Sequence, residues 1–370
     1  VLSQAGVVSL ERVMHDGMKV KANAADNSFR REASLRQHLE AAQQRVQQLE
    51  REAEQDPEGK AQIQRQQAQR QAAQQRQQRI QQALAELEQI QASKDKAEER
   101  QQARASLTDP EARIMKQAHG AIGPAYNLQL STDAQQRVIV AMGVSQAASD
   151  AAELVPAVER VEANTGRKPD QMVVDGGFIN QATVEAMQQR QIELIGPVTD
   201  PTSQTEASLR KRGVAEAVFP SAFRYQAEAN HYACPEGKRR RFEAQEKKSG
   251  GRRRYRYRAS RADCQACPMR QHCCPDSRKG RSLVRTEDGP AMAAFKAKME
   301  TAAAQQIYKQ RAGVAEFPNA WIKDKLGLRQ FRLRGRVKVE IEALWACLTY
   351  NIQQWYRLLW RPQQQAAAGT

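Results

Sequence analysis

Residues 308–335, YKQRAGVAEFPNAWIKDKLGLRQFRLRG, set Glu316 among Tyr308, Arg311 and Lys323 in a chain of 370 residues with a formal charge of +16. A carboxylate held among cations suits metal-assisted phosphoryl transfer, because hard divalent ions take oxygen ligands while Arg and Lys take phosphate. Pro318 is at home in a first helical turn, which puts Glu316 at or just before a helix start. Lys323, seven residues after Glu316, then falls on the same side. One carboxylate is too few for such a site, so the reading moves upstream to aspartates that follow strands.

The segment HDGMKVKANA, residues 15–24, puts Asp16 at the end of an apolar-rich run, with Lys19 and Lys21 beside it. DQMVVDGGFINQATVEAM, residues 170–187, puts Asp175 directly after Met172, Val173 and Val174, a run of the buried-strand type. Between them, Tyr126, Leu128 and Leu130 alternate with polar residues, a turn falls at 133–136, and 138–142 is apolar: a hairpin. Asp133 competes as the first carboxylate, but its place reads as the hairpin turn. Ser149 and Asp150 can cap a helix carrying Leu154, Val158 and Val161, which Gly166 can end. A helix over 180–191 and a strand over 192–198 follow. The order of elements is that of an α/β chain.

Three motifs now stand in sequence. They are Asp-Gly-x-Lys-x-Lys-Ala-Asn-Ala from Asp16, with Met18 at the variable place where the pattern has Thr; the Asp-Gly-Gly-Phe of Asp175; and Tyr-x2-Arg-x4-Glu-x6-Lys from Tyr308, followed by Gly-Leu-x-x-Phe-x-x-Arg-Gly. Together they resemble the DDE transposases of bacterial insertion sequences, over about Val8 to Trp360. The resemblance implies a ribonuclease-H-like mixed sheet in which the strands of Asp16 and Asp175 lie side by side. It implies that Asp16, Asp175 and Glu316 bind two Mg²⁺ (or Mn²⁺) ions, with Asp16 bridging, and that the reaction is DNA cleavage and strand transfer. The implied partner is double-stranded DNA, both transposon ends and target, contacted by Lys19, Lys21, Tyr308, Arg311 and Lys323, with the chain a homo-oligomer on it. It also implies a further N-terminal domain ahead of Val1.

Two stretches interrupt this core. From Phe29 the composition turns to Gln, Ala, Arg and Glu, with Leu35, Leu39, Ala42, Val46 and Leu49 on a coiled-coil seam. Asp56-Pro57-Glu58-Gly59 breaks it, and Ile80, Leu84, Leu87 and Ile90 mark a second arm of a helical hairpin. A disordered Gln-rich tract is the alternative, since 64–79 is nearly devoid of apolar residues. Later, 199–214 reads as a linker, and 238–261 holds twelve Lys or Arg against two Glu, including Arg252, Arg253 and Arg254, interleaved with Phe242, Tyr255 and Tyr257. That is a DNA-contacting basic loop. Cys234, Cys264, Cys267 and Cys273 have spacing suited to a structural Zn²⁺ site that would pin it, the alternative being an unmetallated loop. Cys274 is an extra thiol, His231 and His272 are substitute ligands, and Cys347 reads as core.

The expected organisation is a ribonuclease-H-like core in pieces at 1–28 and 106–198, a helical hairpin at 29–105, a basic Cys-rich insertion at 199–305, the last carboxylate with C-terminal helices at 306–360, and a disordered tail at 361–370. Val337, Ile341, Leu344, Leu348, Ile352, Trp355 and Leu359 form an apolar stripe expected to pack on the sheet. The sequence pI near 9.8 favours a polyanionic partner. Without a run of 18 apolar residues or a leader pattern, the expectation is a cytoplasmic protein without a membrane partner. The competing functional readings are a non-catalytic nucleic-acid-binding protein and an inactive transposase remnant.

Overall fold

Arg12–Lys21 forms β1 in the computed structural model, carrying Asp16, Met18 and Val20 on one face and His15, Gly17 and Lys19 on the other. The structure describes the whole chain except residues 1, 3, 56–59, 118–119, 199–200, 248–252, 276 and 369–370. It divides into two compact units, Val1–Asp170 with Arg311–Thr370, and Gln171–Gln310.

In the first unit, α1 (Glu32–Gln55) and α2 (Lys60–Ala92) pack along one another, with Gln91 donating to Glu32 across the pair at 3.2 Å, so the helices are antiparallel. Leu35, Ala83 and Leu87 are buried together with Ala103 and Ala105 at the base. A short ladder of Phe29–Arg30 with Ala105–Ser106 brings the two ends of this excursion back together. The break expected at Asp56–Gly59 lies outside the described residues. The sheet continues with β2 (Arg113–Lys116), β3 (Ile122–Asp133) and β4 (Ile139–Ser145). β3 is its centre: β1 pairs antiparallel along one edge, Asp16 opposite Leu130, while β2 and β4 share the other. α3 (Leu154–Thr165) ends at Gly166, whose φ of 79° is the left-handed conformation that glycine accepts without penalty.

The second unit opens with β5 (Gln171–Val173), α4 (Gln181–Gln189) and β6 (Glu193–Ile195), a strand, helix, strand unit whose strands are parallel. Asn180 caps α4 by accepting the Thr183 amide at 3.0 Å. The stretch read as a linker contains a helix, α5 (Pro201–Lys211). The segment read as a basic loop is also ordered differently. β7 (Arg224–Gln226), β8 (His231–Ala233), β9 (Arg239–Lys247), β10 (Arg253–Ala259) and β11 (Ser282–Glu287) form an antiparallel meander in chain order. The Arg-Tyr alternation in β10 has period two, so Tyr255 and Tyr257 take one face and Arg254, Arg256 and Arg258 the other. Tyr257 is fully buried against Tyr225, Tyr232 and Phe242, and Arg285 lies 4.6 Å from the ring centroids of Tyr225 and Tyr255. α6 (Pro290–Met299) and α7 (Ala302–Lys309) close the unit.

The chain returns to the first unit through a π-helical turn, Ala312–Glu316, that runs directly into α8 (Phe317–Asp324). α9 (Arg336–Trp355) follows, continued by a second π turn, Tyr356–Trp360, and α10 (Arg361–Ala368). The tail expected to be disordered is therefore helical over Arg361–Ala368. α8 and α9 cover the Met18–Val20 face of β1, with Ile322, Val339, Ala343 and Cys347 in the cluster that holds Tyr126, Leu128 and Phe331. The apolar stripe expected to face the sheet does not: Val339, Ala343, Ala346 and Tyr350 are buried, while Ile341, Leu344, Leu348 and Ile352 are exposed. Ala343 and Ala346 let the helix axis approach the sheet, Tyr350 reaches the Arg137 carbonyl at 2.7 Å, and the row of Ile and Leu is left outward.

Candidate active site

Asp16 stands on the face of β1 that α8 covers, and two residues from the 308–335 stretch hold it. The Arg311 Nη2 donates to Asp16 Oδ1 at 2.7 Å, and the Asn319 Nδ2 donates to Oδ2 at 2.8 Å. Arg311 is almost wholly buried, and its Nη1 lies 3.8 Å from Glu316 Oε1. One guanidinium thus sits between a half-buried carboxylate and an exposed one. Partial burial of an aspartate is tolerated when its charge is matched, and Arg311 matches it. Glu316, more than half exposed, ends the π turn just ahead of Pro318. π turns within helices are often found at functional sites, where the wider turn re-aims a side chain.

Lys323 lies one turn beyond Asn319 on α8. Burial holds its ammonium below the ordinary lysine range, and the nearby Asp16 charge works in the opposite direction. Lys21 is exposed at the end of β1, its backbone joined to Arg329 and Phe331. Lys19 points to the other face and pairs with Asp150, Nζ to Oδ1 3.1 Å. Asp150 therefore does not cap α3, where Glu153 takes the capping position. It receives Asn127 at 2.6 Å and Gln129 at 2.8 Å, and although burial opposes ionisation, these donors and Lys19 hold its carboxyl below the usual range. Gln129 also meets His15 Nε2 at 2.8 Å, and Ser131 meets His15 Nδ1 at 2.9 Å. Burial pushes His15 down to about 4. A polar network thus lies directly behind the strand that carries Asp16. Gly17 is part of its fit, since a Cβ there would meet Gln129 at 2.5 Å and Asp150 at 2.6 Å.

Asp133 is fully buried and committed to structure: Oδ1 accepts from Ser9 Oγ and the Leu10 amide, and Oδ2 from the Gln136 amide. It ties the hairpin turn to the segment before β1.

Asp175 belongs to the second unit, two residues past β5, where its Oδ1 accepts the Gly177 amide at 2.8 Å. Tyr308 is half-buried near the end of α7. Arg253 is exposed and Arg254 half-buried on β10, while Arg252 lies outside the described residues. Two other β10 arginines face carboxylates of β9, Arg256 with Glu246 at 2.7 Å and Arg258 with Glu243 at 2.6 Å. Cys234, Cys264 and Cys273 are buried in one cluster that also takes in Cys274, whereas Cys267 is only partly buried. Burial and the adjacent Cys274 push the Cys273 thiol up to about 11. Lys238 donates its amide to Cys234 Sγ at 3.3 Å. Among the described residues, no three His, Cys, Asp or Glu side chains are gathered in a way that would hold a metal ion.

The sequence reading missed Asn319. Its only signal is spacing, three residues after Glu316 and four before Lys323, which shares their helical side once α8 is drawn. The donors around Asp16 are hard oxygens: its own carboxylate and Asn319 Oδ1, a buried acceptor without a hydrogen-bond partner. That set fits a hard divalent ion better than a soft one.

Residues 233–356 match the family model described as the transposase DDE domain. The matched stretch takes in Arg311, Glu316, Asn319 and Lys323, while Asp16 and Asp175 lie upstream of it. It supports a transposase of the DDE class, hence divalent metal and DNA as that class's cofactor and partner. No curated protein and no solved structure matches significantly. Among the described residues, no helix is long and apolar enough to cross a membrane.

Proposed function

We propose that this chain is an insertion-sequence transposase that cleaves DNA and transfers its strands at Asp16, Asp175 and Glu316, on a ribonuclease-H-like core. The observation that carries the reading is the grip of Arg311 and Asn319 on Asp16. It ties the first motif to the last across nearly 300 residues and places Glu316 beside the same guanidinium. Metal-assisted cleavage has a use for two carboxylates held beside one guanidinium in a basic protein, and non-catalytic DNA binding does not.

Asp16, Asp175 and Glu316 would hold Mg²⁺ or Mn²⁺, which when bound neutralises phosphate charge and lowers the pKa of an attacking water. Arg311 pairs with Asp16 and orients it. Asn319 fixes the second oxygen and offers a free acceptor. Lys323 brings a cation near Asp16 for a phosphate oxygen, and exposed Arg253 and half-buried Arg254 on β10 bind backbone phosphates. The Zn²⁺ site expected at Cys234, Cys264, Cys267 and Cys273 is left out of this reading, since among the described residues no three such side chains are gathered to hold a metal ion.

The test is cleavage of DNA carrying the element's terminal repeats. We expect nicking with Mg²⁺ or Mn²⁺, none with chelator, and at least a hundredfold loss in Glu316→Gln with DNA binding retained. Binding without any metal-dependent cleavage would overturn the reading in favour of a non-catalytic DNA-binding protein.

A further inference from the structure

We infer that the outer face of α9 is where two copies of this chain pair, antiparallel and two-fold symmetric about Leu348. The observation behind it is independent of whether the carboxylates cut DNA. α9 satisfies the sheet with Val339, Ala343, Ala346, Cys347 and Tyr350, and presents Ile341, Leu344, Trp345, Leu348 and Ile352 outward, each between 45% and 62% exposed. Val337, Trp355, Tyr356 and Trp360 extend the patch along the same helical run. Nine large apolar side chains, from 37% to 67% exposed, thus follow one another along this run. Large contiguous apolar patches mark interaction sites.

The arrangement of the patch says what covers it. Leu344 and Ile352 lie four residues either side of Leu348, and Ile341 and Trp355 lie seven either side. Offsets of four and seven keep side chains on one helical face. A row that reads the same outward from its centre in both directions is self-complementary under a two-fold axis. In that pairing Leu348 meets Leu348, Leu344 meets Ile352, and Ile341 meets Trp355, which is the condition for an isologous interface. A second copy supplies this mirror; a DNA backbone would not select a row of Leu and Ile.

Sedimentation of the DNA-free chain at micromolar concentration should show a dimer, and Leu348→Glu, which puts two like charges on the axis, should convert it to monomer with an unchanged circular dichroism spectrum. Under mild oxidation Leu348→Cys should give a disulfide-linked dimer that the parent chain does not. Val337→Cys should not, because antiparallel copies hold those positions about 33 Å apart. A monomeric parent without a Leu348→Cys cross-link would overturn the proposal, and so would a dimer that survives Leu348→Glu. Cross-linking through Val337→Cys but not Leu348→Cys would overturn the antiparallel register.

Discussion

His15 shows how much of the site's support is polar. The ring is buried behind Asp16's strand, bonded to Gln129 and Ser131, and its pKa is lowered to about 4 from an ordinary 6.5. A lowered value means the unfolded chain takes up a proton that the native chain refuses. His15 therefore contributes stability that is fully present above pH 6.5 and is lost as pH falls towards 4, at most about 3 kcal/mol. Chemical denaturation of His15→Gln, which keeps hydrogen-bonding capacity without the titration, should show a shallower fall in stability between pH 7 and pH 4.5 than the parent. Equal slopes would mean that other groups set the acid limit. The residue scale is also where the sequence is least legible. Asp150 follows Ser149 in a good capping context, yet its partner Lys19 lies 131 positions away, and no local pattern reports a partner at that separation. Asn319 is hidden for a similar reason, since a polar residue on a helix is ordinary until the strand opposite is known to carry an aspartate.

Elements are more legible, because alternation and helical period are local. The β3–β4 hairpin, the helix ended by Gly166 and the strand before Asp175 lie where apolar spacing puts them. The stripe on α9 shows the limit. Periodicity identifies a face but not its neighbour, and here Val339, Ala343, Ala346 and Tyr350 are buried while Ile341, Leu344, Leu348 and Ile352 look out. The basic segment shows another: its density of arginine suggests a loop, whereas Tyr255 and Tyr257 alternate with the arginines as in a strand and fill the meander's core. That difference sharpens the expectation for DNA. Tyr257 is unavailable to bases, and Arg256 and Arg258 already face glutamates, so Arg253 and Arg254 at the outer part of the hairpin carry the larger share. Arg253→Glu with Arg254→Glu should weaken DNA binding without sequence preference and reduce the slope of log affinity against log salt by about 2, one for each phosphate no longer neutralised. An unchanged slope would place the DNA surface elsewhere, with Lys21 and Lys323 as the remaining candidates.

At the scale of the whole molecule, the chain leaves one unit at Asp170 and returns to it at Arg311. Asp16 and Glu316 are thus in one unit and Asp175 in the other, and the proposed chemistry stands only if all three serve one metal site. Iron-directed cleavage of the backbone measures this directly. Fe²⁺ substitutes for Mg²⁺ at oxygen-ligand sites, and with ascorbate and peroxide it cuts the chain close to where it is bound. The account predicts cuts beside positions 16, 175 and 316 together, suppressed by excess Mg²⁺ and lost at all three in Asp175→Asn. Cutting beside 16 and 316 alone, unaffected by Asp175→Asn, would contradict it.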